Sequence, residues 1–446
     1  MRYVHTHIDV LAVLAVAIAV RILLVAAFPT IIIEPDSEGY FRVGRAITSL
    51  PTIEHFVNPE RTPIYPIITS LLIKYDLSPL DIRSEAFRTD AHTLLFAQMA
   101  LGILASLLWF KAMLLLAVPR RVALVCGIVC ATSITVAYWE RSLLTEGVGI
   151  SWLVIQTYTY LRTLKSPAIK FFVACWLVSV IGLLIRPAFM FAPFVSFLII
   201  GLFHRSPTVW RNIIATLLFI VAVPLLYSYT NLYLHGYSGI TYFSDINLLG
   251  VIMQNNIPME PGAVYTNIYN GIQNYYASGG DPYVFRFILH YDPYIFTNIQ
   301  KLNELQAFVK TIIWTHLDVY IWSSLAAVPK SFAHQTATAV PINGNPLAIG
   351  FFQSIDQLVN LVKSATIVIF PIIILHMRDF LRKKTFHDAA LLLIGGVAIT
   401  QIITTAFFVY EADPVYKRMM SPILYHVSSY LICMFYSQLN KKNQLN

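Results

Sequence analysis

An all-α polytopic membrane protein with about ten transmembrane helices is what this chain predicts, on three observations. Of its 446 residues, 57% are hydrophobic and 12% charged, where a soluble domain carries about 25% charged residues. Apolar runs of about 20 residues, long enough to cross a hydrocarbon core, recur from end to end. Basic residues gather at every second connection between those runs, as cytoplasmic loops do.

The apolar runs place spans near residues 8–29, 91–118, 122–139, 147–161, 171–186, 188–203, 212–230, 358–377, 388–409 and 421–438. The first is too long for a cleaved signal peptide, and no small-residue cleavage site follows it, so it is expected to stay as a span. Arg2, Arg120 and Arg121, then Arg162, Lys165 and Lys170, then Arg205 and Arg211, then Arg378, Arg382, Lys383 and Lys384, and last Lys441 and Lys442 mark the inner side. Both termini are therefore expected in the cytoplasm. The stretch 311–328, "TIIWTHLDVYIWSSLAAV", carries His316 and Asp318 and is read as interfacial or re-entrant, because a span there would move "RDFLRKK" to the outer side. Three regions follow: an N-terminal transmembrane module over 1–230 with its first outer loop at 30–90, an outer segment over 231–357, and C-terminal helices over 358–446.

A net charge of +8 would suggest nucleic acid in a soluble protein, but the topology accounts for most of it and no nucleic-acid partner is expected. Cys126, Cys130, Cys175 and Cys433 all fall in apolar runs, which gives no disulfide framework and no zinc spacing. No Asn-x-Ser/Thr sequon occurs, so the reading leans to a bacterial inner membrane with a periplasmic site.

The conspicuous acid lies on the outer face, in "EPDSEGYFRVGRAI…RTPIYP", "ERSLLTEG" and "YEADPVYKRMMSP", with "IRPAF" beside it. A flippase or transporter, the alternative from another class, would place functional charge within its spans and show an internal repeat. Mid-span charge is sparse, and Arg21, Lys111 and Lys363 can each snorkel to an interface. A membrane acyltransferase would want a catalytic histidine at a span, and the histidines are scattered without a partner pattern.

Residues 36–50 read as a surface helix, with Asp36 at its amino end. Tyr40, Val43, Ala46, Ile47 and Leu50 recur at three- and four-residue spacing, with Arg42 and Arg45 opposite. An ionised carboxylate at that end is stabilised by free N–H groups and the macrodipole. In "RTPIYP" the prolines fix an extended or kinked entry to the next apolar stretch and leave Arg61 at its polar end. The segment "GDPYVFRFILHYDPYIF" repeats Asp-Pro-Tyr at 281–283 and 292–294. The aromatics around it, Tyr275, Tyr276, Tyr283, Phe285, Phe287, Tyr291, Tyr294 and Phe296, suit stacking on sugar rings or, more simply, an interfacial belt. Its aspartates suit caps or turns.

Taken together, "PDSEGYFRVGRAI", "RTPIYP", "LLTEG", "IRP" and the acidic-aromatic-basic loop before the last span resemble the GT-C superfamily of integral-membrane glycosyltransferases. The likeness is nearest to the branch of protein O-mannosyltransferases and the lipid A aminoarabinose transferase. It covers about the first 190 residues and, weakly, the last 40. Ser37 stands where many relatives carry a second acid, which sets Glu38 apart. The resemblance implies transfer of a sugar from a polyprenyl-phosphate donor to an extracytoplasmic lipid, glycan or protein acceptor, with Asp36 as general base. It implies phosphate stabilisation by basic residues on that face, for which Arg61, Arg141, Arg186, Lys417 and Arg418 are the candidates. Glu38, Tyr40, Tyr65 and Glu146 are the expected substrate contacts. A cofactor is not required; a divalent ion between Asp36 and Glu146 is left open, and no histidine cluster accompanies them. Reporter fusions at Ser37 and Arg382 should fall on opposite sides of the bilayer; the same side for both would overturn this topology.

Overall fold

In the computed structural model, the described residues are 2–333 apart from 30, 35, 75–80, 83, 117 and 260–265, then 346–351 apart from 348, then 354, 369–408 and 426–436. They form helices, and the single bridge among them joins Ile32 to Ser142. The protein is an all-α membrane protein: five of its helices are long and apolar enough to cross a bilayer, at His7–Ala27, Glu85–Leu115, Pro187–His204, Pro207–His235 and Phe386–Phe408.

In chain order, α1 (Arg2–Ala27) is the first apolar helix, followed by the outer-loop helices α2 (Ser37–Ser49), α3 (Ile53–Phe56) and α4 (Ile64–Leu72). The bundle continues with α5 (Glu85–Leu115), α6 (Arg120–Ala131), α7 (Ile134–Trp139), α8 (Thr145–Lys165), α9 (Ile169–Ile185), α10 (Ala192–His204) and α11 (Pro207–His235). Ser84 starts α5 by accepting from Phe87 N at 3.2 Å. Gly236, at φ +71°, ends α11 in the left-handed conformation that glycine adopts without strain. Then come α12 (Tyr242–Gln254), α13 (Thr266–Ala277), α14 (Val284–Tyr291), α15 (Ile299–Thr315), α16 (Leu317–Ala333), α17 (Ile369–Lys383), α18 (Phe386–Phe408) and a last helix over 426–436.

At the centre lies α8, packed against α5, α9, α10 and α18. Its sequence is rich in polar residues that neighbouring helices cover: Gln156, Thr157 and Tyr160 are all buried. Residues Tyr237 to Tyr320 carry an apolar cluster of their own, in which α12 packs on α14 and α15. The four cysteines are buried and free.

The structure corrects several expectations. The run 122–139 is two helices, broken at Thr132 and Ser133. Arg21 does not snorkel: it is 3% exposed and its Nε and Nη2 donate to the Glu140 carboxylate at 2.8 and 2.6 Å. The helix break supplies a further partner, the Ala131 carbonyl, which accepts from Arg21 Nη1 at 3.3 Å. Glu140, read as part of an outer connection, is fully buried. Leu50 is exposed, whereas Phe41, Val43 and Ile47 form the buried face of α2. Of the supposed belt aromatics, only Tyr294 is largely exposed; the others lie in or against the outer cluster. Lys363 and residues 358–368 lie outside the described residues, as do Lys417 and Arg418.

Removing one member of a buried ion pair strands the other in a low dielectric at about 3–5 kcal/mol. Glu140→Ala should therefore lower the unfolding temperature in detergent strongly, and Arg21→Leu/Glu140→Leu should recover part of that loss.

Candidate active site

The site begins with a short clip between two connecting segments. Ile32 N donates to Arg141 O at 3.1 Å, and Leu143 N donates back to Ile32 O at 3.0 Å. Ser37, the first residue of α2, donates from Oγ to Leu143 O at 2.9 Å and accepts from Glu34 N at 3.0 Å. The clip fixes the amino end of α2, where Asp36 stands, beside the amino end of α8, where Glu146 stands. Asp36 occupies the cap position of α2, but its side chain caps no N–H. It turns instead to Arg61, whose Nη2 lies 3.3 Å from Oδ1.

Arg61 reaches this point because α2 and α4 pack tightly. A β-carbon on Gly44 would lie 2.0 Å from the Pro66 carbonyl oxygen, and one on Gly39 would lie 2.7 Å from Glu60 Oε1 and 3.3 Å from Arg61 Nε. The guanidinium is held between two rings, 4.3 Å from the centroid of Tyr40 and 3.9 Å from that of Phe243. Burial pushes the Tyr40 phenol above its usual range while Arg61 opposes the shift, so the phenol keeps its proton at neutral pH. Burial disfavours the Arg61 charge, but Tyr40, Asp36 and Glu60 outweigh it and raise its pKa.

A second pair lies across the space. Arg186 ends α9 in an extended conformation, as a residue before proline tends to. Its Nη1 lies 2.8 Å from Glu146 Oε1 and donates to Thr145 Oγ1 at 3.3 Å. Glu146, in the first turn of α8, also meets the positive end of that helix.

Asp36, Tyr40, Arg61, Glu146 and Arg186 line one cavity of about 660 Å³. Its other walls come from the outer segment, through Phe243, Tyr283, Phe285 and Arg286, and from Phe191 and Phe408, which stack at 5.5 Å. Both Asp-Pro-Tyr units form turns in which the aspartate accepts from the tyrosine N, at 3.4 Å for Asp281 and 3.0 Å for Asp292. Asp281 also pairs with Arg286 at 2.6 Å.

Three sequence candidates do not join the cavity wall. Glu38 is exposed, because two residues along a helix from Asp36 is close to its opposite face. Arg141 is buried behind the clip, with its Cζ 6.0 Å from the Phe28 ring centroid. Tyr65 is fully buried behind Tyr40, edge-on at 5.1 Å, and donates to Gln98 Oε1 at 3.1 Å. Glu34, Glu60, Thr62 and Arg286 also line the cavity, though none of them was among the expected site residues. Glu34 opens the conspicuous acidic stretch, Thr62 lies within "RTPIYP" and Glu60 precedes it, while Arg286 stood out only as a basic residue in an aromatic run. Among the described residues no three His, Cys, Asp or Glu gather to hold a metal. Asp36 and Glu146 each already face a guanidinium, which competes with a shared divalent ion.

No protein-family model matches the chain, and no curated protein does. Among solved structures, the apo form of ArnT from Cupriavidus metallidurans is similar at 13% identity and a TM-score of 0.35, over 90% of this chain and 77% of that one. The form bound to undecaprenyl phosphate matches at 12% identity and a TM-score of 0.37, over 93% and 77%. Likeness at that level decides nothing about activity.

The glycine contacts separate packing from site geometry. Gly44→Ala meets backbone and should destabilise by about 1–3 kcal/mol. Gly39→Ala meets only the movable ends of Glu60 and Arg61, so it should leave the unfolding temperature near wild type while displacing the guanidinium, visible in a structure of the variant.

Proposed function

We propose that this chain is a membrane glycosyltransferase that moves a sugar from a polyprenyl-phosphate-linked donor to an extracytoplasmic acceptor, which is a lipid, a cell-envelope glycan or a protein. The supporting observation is the cavity's arrangement: an accessible carboxylate, Asp36, pairs with the largely buried Arg61 in a mainly apolar cavity that the Arg186–Glu146 pair also lines.

In this reading the donor phosphate lies against Arg61 and Arg186, and Asp36 accepts the proton of the acceptor hydroxyl. The hydroxyl oxygen attacks the anomeric carbon as the bond from that carbon to the phosphate oxygen breaks. The electron pair leaves with the phosphate, a weak base that needs no general acid, and the arginines meet its added charge. One displacement inverts the anomeric centre, unlike the two-step route of retaining glycosidases. Tyr40, holding its proton, donates to either the phosphate or the sugar. The sugar and acceptor rings have the faces of Tyr283 and Phe285 beside them. The protein sits in a bacterial inner membrane with this cavity toward the periplasm, and membrane lipids surround the donor chain.

Asp36→Asn keeps size and loses basicity. Purified wild type and variant, supplied with polyprenyl-phosphate sugars and candidate acceptors, should unfold at similar temperatures, with transfer reduced by about 10²–10⁴-fold in the variant. Full turnover by Asp36→Asn would remove that residue as base.

A further inference from the structure

Two rings grip Arg61, and they come from different parts of the chain. Tyr40 belongs to the first outer loop, and Phe243 opens α12 in the outer segment. The polar contacts to the guanidinium are long, 3.3 Å to Asp36 and 3.4 Å to the Tyr40 hydroxyl, and its buried Nε donates to nothing among the described residues. The ring faces, at 3.9 and 4.3 Å, are therefore the contacts that define its plane. Phe243 is itself well fixed. Tyr242 N donates to Pro59 O at 2.8 Å, two residues before Arg61. In the first turn of α12, Asp245 accepts from the Tyr237 hydroxyl and from Gln306 Nε2 at 2.8 Å. Phe285 and Phe296 pack against the Phe243 ring, with centroids 6.1 and 5.9 Å away.

We propose that Phe243 is a positioning residue for the donor phosphate: its ring face holds the Arg61 guanidinium plane toward the cavity. The outer segment then contributes to donor affinity. This rests on the transferase reading, because it takes Arg61 as a phosphate ligand. An aromatic face holds a guanidinium without neutralising it, so the N–H groups stay available to an incoming anion. A third carboxylate in the same place would compete with the phosphate.

The test uses the full chain in detergent, titrated with a short-chain polyprenyl phosphate and, in parallel, with the uncharged polyprenol. Wild type should prefer the phosphate. Phe243→Leu and Phe243→Met keep apolar volume but lose the ring face; each should weaken phosphate binding about three- to tenfold and leave polyprenol binding unchanged. Running both keeps the comparison alive if one fails to fold. Phe243→Tyr restores the ring and should stay within about twofold of wild type. In an Arg61→Gln background, Phe243→Leu should cost no further phosphate affinity. Wild-type phosphate affinity in both ring-less variants, or an undiminished loss in the Arg61→Gln background, would overturn the positioning role alone. A wild type that does not distinguish phosphate from alcohol would overturn the transferase reading and this role with it.

Discussion

A charge inside an apolar bundle has to be met by another charge or by freed backbone groups, and in this protein that constraint is satisfied at Arg21 and Glu140. The consequences extend well beyond the pair. The break between α6 and α7 frees the Ala131 carbonyl for Arg21 and brings the chain back so that Glu140 can follow. Gln98 then donates to the Glu140 and Ser142 carbonyls at 2.7 and 3.0 Å. Through its other atom Gln98 accepts from Tyr65, whose ring stands behind Tyr40 at the cavity wall. A run of contacts thus leads from the bundle's buried charge to the ring that grips Arg61.

At the cavity the same physics has a different use. The side chains of Arg61 and Arg186 are only 9% and 18% exposed, where an unpaired guanidinium would be costly. Asp36 and Glu146 satisfy them in the resting protein. In the proposed transfer, an arriving phosphate would take over that role and leave a carboxylate freer to accept a proton. The two pairs differ in one respect: Asp36 is 46% exposed and Glu146 only 6%. That difference leaves Asp36 the more open to the cavity, while Glu146 stays closed around Arg186.

The outer segment contributes a wall built on its own apolar cluster. The Asp-Pro-Tyr turn at Asp281 leads into α14, so that Tyr283, Phe285 and Arg286 reach the cavity while Phe287 and Ile288 fill the cluster behind them. An aromatic-rich stretch that serves both faces at once reads, in one dimension, like a membrane-interface belt. Its residues divide between core and cavity only because a short helix turns successive side chains to different sides.

Composition and hydropathy determined the class of the molecule, since a chain so short of charge and so full of membrane-length apolar runs has no soluble fold in which to bury them. Local pattern placed α2 near its observed start with Asp36 at its amino end, and the resemblance carried by the surrounding motifs marked Tyr40, Arg61, Glu146 and Arg186. Pairing was decided by the tertiary structure alone. Arg21 and Glu140 are 119 positions apart, and nothing local to either says that they meet. Arg141 looked as suitable as Arg186, yet the turn after α7 sends one behind the clip while the proline after the other leaves it facing the cavity. Phe243 carried no signal at all, because a ring is a partner for a guanidinium only once packing has brought the two together in space.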